Sequence, residues 1–155
     1  MGCACRIRYR GALRDGTSRD PLGYEEVPKK PPLIAVVDDD PFVRKALERL
    51  IGSTGLSVES FASGAEFLRS ADDHQPDCVV LDLHMQEMSG FEVQSRLARA
   101  HPRVPVVVIT GHDTPESRSR SLGGGAKSYL CKPIDDQTLL KAIDAAIIHQ
   151  IPRPS

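Results

Sequence analysis

AVVDDDPFVRKAL, Ala35 to Leu47, is the stretch that decides the fold. With Leu33 and Ile34 it opens on a continuous apolar run, LIAVV, the pattern of a strand buried on both faces. The run ends in three aspartates whose like charges repel. Beyond them Phe42, Val43, Ala46, Leu47, Leu50 and Ile51 fall at helical spacing, and they are taken as one apolar face. Asp40 suits the N-cap of that helix, Pro41 its first position, and Gly52 or Gly55 its exit. A buried strand, an acidic turn and a helix make the first half of a βαβ unit.

The same alternation continues outward. LSVESF reads as a second strand, and SGAE (Ser63 to Glu66) as a capping box opening a short helix. CVVLDL is a third strand. Gly90 to Ala100 is helical, with Phe91, Val93, Leu97 and Ala98 as its apolar set. VPVVVIT is the fourth strand. A weak helix over Pro115 to Leu122 stops at Gly123, Gly124 and Gly125. SYLC is the fifth strand. DDQTLLKAIDAAIIHQI closes the domain as a long helix with Leu139, Leu140, Ile143, Ala146 and Ile147 inward. Five strands alternating with five helices imply right-handed crossovers and a parallel sheet covered on both faces. The domain is expected over residues 33–151, with no room after it for a second one.

Residues 1–32 differ. They lack periodicity, end in VPKKPP, and carry seven Lys/Arg against four Asp/Glu, against thirteen and seventeen in the remainder. A disordered basic extension is expected. The whole chain, 155 residues with net charge −1, gives no global argument for a nucleic acid or a membrane surface. No apolar run has the ~18 residues of a membrane span. The first thirty residues contain no apolar h-region, so no export signal is expected, and Arg6 stands where a myristoylation motif has Ser or Thr. The four cysteines are read as reduced cytoplasmic thiols, Cys78 and Cys131 as small core residues, Cys3 and Cys5 as half of a zinc site at most.

In an open parallel sheet, ligands bind beyond the carboxyl ends of the strands. Those ends carry Asp38 and Asp39 on strand one, Asp82 on strand three, Thr110 on strand four and Lys132 after strand five. If strands one and three are neighbours, three carboxylates converge, and a divalent cation relieves their repulsion. Mg²⁺ suits a few carboxylates plus waters and a phosphate oxygen. Cation, lysine and hydroxyl together form a receptor for a phosphoryl group, and a carboxylate among them can be its nucleophile.

VVDDDP, VVLDLHMQEMSG, VVVITGHD and AKSYLCKP, in that order, resemble the receiver domains of bacterial two-component response regulators, most nearly the LuxR-type, nitrogen-fixation branch. The resemblance covers about Leu33 to Gln150. It implies a flavodoxin-like (βα)5 fold with strand order 2-1-3-4-5. It implies Asp82 as phospho-acceptor and Asp38, Asp39, Asp82 and the His84 carbonyl as Mg²⁺ ligands. It implies Lys132 as partner of the phosphoryl group, and Thr110 and Tyr129 as a switch pair in which Tyr129 turns inward as Thr110 moves to the phosphoryl group. His84 and His112 are expected near the site, with a bearing on phosphate lifetime. The partners implied are a sensor histidine kinase or histidine phosphotransfer protein, and a downstream protein at the face of the fourth helix, fifth strand and fifth helix. A phosphorylation-dependent dimer is a further implied partner. The expectation is a stand-alone cytoplasmic receiver without a DNA-binding domain. Gln86 departs from the usual proline and is expected to loosen the loop that carries the His84 carbonyl. The triple glycine is expected to weaken the fourth helix. Two other classes fit less well. A haloacid-dehalogenase-type phosphohydrolase wants D-x-D where this chain has Asp82-Leu83-His84. A flavodoxin-type cofactor binder wants a Ser/Thr/Gly-rich first loop where this chain has DDD.

Overall fold

The computed structural model describes residues 30–150, and of His149 and Gln150 the backbone alone. The N-terminal extension up to residue 29, with Cys3 and Cys5, and the terminal 151–155 lie outside the described residues. Five strands, β1 (Leu33–Val37), β2 (Ser57–Phe61), β3 (Cys78–Asp82), β4 (Val106–Thr110) and β5 (Ser128–Cys131), alternate with five helices. These are α1 (Pro41–Gly52), α2 (Gly64–Asp73), α3 (Gly90–Ala100), α4 (Pro115–Gly123) and α5 (Asp136–Gln150). The strands form one parallel sheet in the order β2-β1-β3-β4-β5. Among the described residues no helix is long and apolar enough to cross a membrane.

Alternation along each strand builds two cores. Ile34, Val36, Val80, Val107 and Ile109 pack under α1 and α5 with Leu47, Ile51, Leu139 and Ile143. Ala35, Val37, Val79, Leu81 and Val108 face α2 and α3, against Phe67, Val93 and Leu97. β1, β3 and β4 are buried along nearly their whole length, which is why they read as continuous apolar runs.

Side chains in the expected roles cap the helices. The Asp40 side chain accepts the Phe42 N–H (2.9 Å), and Ser63 accepts the Glu66 N–H (3.2 Å). Three expectations need correction. Ala98, expected in the apolar set of α3, is exposed. Phe42 is 84% exposed, and Ala46 is exposed too. At 100° per residue Phe42 stands 140° from Leu47, so the true inward set of α1 is Val43, Leu47, Leu50 and Ile51. Cys131 is exposed rather than in the core, because β5 is an edge strand and Cys131 ends it. Cys78 is buried as expected, and burial pushes its thiol up to about 12.

Candidate phosphoryl-acceptor site

Register assembles the site. Val37 pairs with Leu81, so Asp38 and Asp82 emerge side by side from β1 and β3. Asp82 pairs with Ile109, and Thr110 with Cys131, so Thr110 and Lys132 emerge next to them. The Lys132 Nζ lies 2.9 Å from Asp38 Oδ2 and 3.6 Å from Asp82 Oδ1. The Lys132–Pro133 peptide is cis.

The three consecutive aspartates have separate tasks. Asp38 is fully buried; it accepts the Asp40 N–H (2.9 Å) and the Lys132 ammonium, while its carbonyl accepts from Arg44 (2.7 Å). Asp39 is exposed and accepts the Gln86 N–H (3.3 Å). Asp40 caps α1. Carboxylate oxygens of Asp38, Asp39 and Asp82 lie within 4.8 Å of one another. An oxygen-only donor set of three carboxylates, open on one side, fits a hard divalent cation such as Mg²⁺.

Asp82 is 4% exposed. Burial first, then the charge of Asp38, pushes its carboxyl up to about 6 against the pull of Lys132 and the His84 N–H. Lys132 is pulled down by burial, but its hydrogen bond to Asp38 and the charges of Asp82 and Asp38 outweigh this and raise it. The site thus holds a lysine cation against carboxylates that crowd one another.

Gly90, at the start of α3, packs against this strand end. A Cβ there would come within 2.4 Å of the Asp82 carbonyl oxygen and 2.6 Å of the Leu83 Cα, so the position admits glycine alone. Its N–H donates to the Leu83 carbonyl (2.8 Å). The Ser-Gly pair ahead of a helix pattern is the signal that would have marked it.

Thr110 is fully buried, and its hydroxyl accepts the His112 N–H (3.0 Å). Tyr129 is buried against the α2/α3 core, with the Arg118 guanidinium 4.8 Å from its ring centre. The side chain expected to turn inward thus already lies inward here. Its hydroxyl has no hydrogen-bond partner among the described residues, and burial together with nearby Asp113 raises its pKa. The His84 and His112 rings meet edge to face, 5.6 Å apart. Gln86, expected to loosen its loop, is bonded to Asp39 through an N–H that proline lacks.

Gln94 was missed. It is a buried amide on α3 whose Nε2 donates to the Ser121 carbonyl of α4 (2.7 Å). A lone glutamine on an amphipathic helix carries no pattern that distinguishes it.

Residues 34–144 match the response regulator receiver domain. Nodulation protein W of Bradyrhizobium diazoefficiens is 39% identical over 124 residues, 80% of this chain and 54% of that protein. Response regulator protein TodT of Pseudomonas putida is 34% identical over 137 residues, 88% of this chain and 60% of that protein. The chain therefore spans between half and two thirds of the length of these relatives. Among solved structures, a CheY-like receiver domain protein from Methanospirillum hungatei superposes with a TM-score of 0.75 at 25% identity, over 77% of this chain and 96% of that one. Response regulator StyR gives 0.72 at 38% identity, over 79% and 61%. The acid-lined end of this sheet and the matched 111 residues lead to one conclusion: the chain belongs to the family of response-regulator receiver domains.

Proposed function

We propose that Asp82 accepts a phosphoryl group from a phosphohistidine on a sensor histidine kinase or histidine phosphotransfer protein. The observation that supports this most is the Lys132 ammonium held by Asp38 at 2.9 Å and facing Asp82 at 3.6 Å. An Asp82 oxygen attacks phosphorus as the phosphorus–nitrogen bond of the donor breaks, and the leaving imidazole keeps the electron pair. Lys132 donates to a phosphoryl oxygen, and Asp38 holds that ammonium in place. The Asp38, Asp39 and Asp82 carboxylates with the His84 carbonyl would hold Mg²⁺, which supplies positive charge to the phosphoryl oxygens. The protein acts on its own side chain, and any autophosphorylation from a small donor uses these same residues.

The signal then passes through Thr110. Its hydroxyl leaves the His112 backbone for the new phosphoryl oxygens. Tyr129 and α4 respond, remodelling the α4–β5–α5 face for a downstream protein or for a second phosphorylated copy. Residues 33–155 carry net charge −4, which favours protein contact over direct binding of nucleic acid. A cytoplasmic setting follows from the kinase partner. Stand-alone action is checked by the denatured subunit mass of the protein from its own cells: near 16.9 kDa supports it, and a substantially heavier subunit overturns it.

Incubation with Mg²⁺ and acetyl phosphate, followed by intact-mass analysis, tests the acceptor. One added phosphoryl group is expected, absent without Mg²⁺ and absent in Asp82→Asn. An adduct that survives in Asp82→Asn overturns the assignment. If no adduct accumulates, beryllofluoride separates a short-lived phosphate, where it binds, from a phosphorylation-independent domain, where it does not.

A further inference from the structure

At the opposite end of the sheet from Asp82, a cavity of about 600 Å³ opens between the end of α3, the turn before β4 and the glycine turn before β5. Its volume lies within the roughly 300–1,000 Å³ of small-molecule pockets. The β strands separate it from the phosphoryl site by about 15 Å, at ~3.3 Å per residue. Its floor is apolar, from Leu97, Val104, Val106 and Ala146. Among the described residues, every charged side chain lining it is a cation: Arg103 from the turn before β4 and Lys127 before β5.

Glycine forms part of its wall. Gly124 and Gly125 line one wall, and a Cβ at Gly125 would meet nothing within 4 Å. Gly125 takes φ +104°, so it serves the turn as well as the opening. The remaining wall is the Gln94 amide, which donates to the Ser121 carbonyl. A Cβ on Gly124 would stand 3.0 Å from Gln94 Nε2, so amide and turn are in near contact.

We propose that this cavity binds a small amphipathic carboxylate, its apolar body on Leu97 and Val106 and its charged head at Arg103 and Lys127. An apolar floor with a rim of one charge sign selects both features at once. Its occupant packs against Gln94, the residue that ties α3 to α4, and so braces α4 from the far end of the molecule.

Octanoate, octylamine and octanol, titrated into the isotope-labelled full chain and followed by amide NMR, test this. Octanoate is expected to give saturable shifts centred on Leu97, Val104, Gly124 and Gly125, with the cationic and neutral analogues at least about tenfold weaker. The double variant Arg103→Glu/Lys127→Glu should weaken octanoate about tenfold and leave phosphoryl acceptance by Asp82 unchanged. Should that variant misfold, Lys127→Gln alone, at an exposed position, should still weaken octanoate measurably. Binding of octylamine or octanol as tight as octanoate would reduce the cavity to an apolar dent and overturn the proposal. Octanoate shifts centred on Gly111 and His112, or the absence of saturation, would overturn it equally.

Discussion

Asp82 carries its neighbours' charge as well as its own. Its carboxyl ordinarily titrates near 3.8, and here stands at about 6. A raised value means that the folded state holds the proton more tightly than the unfolded chain. The stability this contributes is complete below about pH 4 and is lost as pH rises through about 6. Metal-free wild type should therefore lose stability relative to Asp82→Asn from pH 4 to 6.5. At pH 7.5 Asp82→Asn should be more stable by about 1–3 kcal/mol, as read by urea denaturation at each pH. Gln86 makes a second test. Proline there removes the N–H that Asp39 accepts, whereas alanine keeps it. Gln86→Pro should destabilise the metal-free protein by about 0.5–1.5 kcal/mol and Gln86→Ala by far less, again by denaturation. At this scale the sequence was legible where residue type at a strand end marks a place in the fold, as with Asp38, Asp39, Asp82, Thr110 and Lys132, which the register brings together. It was not legible where a backbone donor or a single amide does the work, as with Gln86 and Gln94.

Among the elements, α4 is held unlike the others. The residues it buries are Ser117 and Ser121, and Leu122 is 42% exposed. Its ties are polar or aromatic. Arg118 lies over Tyr129, Arg120 over Phe91 at 4.1 Å, and Gln94 bonds the Ser121 carbonyl. A helix with so little apolar burial opens at low cost. Hydrogen exchange should be faster in α4 than in α1, α3 or α5, and Gln94→Ala should speed it further, by about fivefold or more for a lost bond of ~1 kcal/mol. Uniform protection across the helices would contradict this. The weakness of α4 was visible in PESRSRSLG, which has one large apolar residue. Its ties were not, because cation–π pairs between α4 and its neighbours leave no periodic trace. Phe42 shows the reverse error, since proximity in sequence to an apolar face suggested membership that helical geometry denies.

For the whole molecule, parallel topology converts four short sequence motifs into one site. Each strand end is far from the next in the chain, and the 2-1-3-4-5 order with its register brings them side by side. Mg²⁺ binding to the folded carboxylate cluster should raise stability by about 1.4 kcal/mol at ten times its dissociation constant. Thermal melts should show that gain in the wild type and its loss in Asp39→Asn, where a gain of equal size would place the cation elsewhere.

The most direct test of the central assignment is to trap the acyl phosphate and find its residue. After acetyl phosphate and Mg²⁺, borohydride reduction converts a phosphorylated aspartate to homoserine, which peptide sequencing by mass spectrometry locates. Homoserine at position 82, with Asp38 and Asp39 unmodified, is the predicted result. Homoserine at position 38 or 39 would contradict the account, because Lys132, Thr110 and the sheet register would then serve a different acceptor.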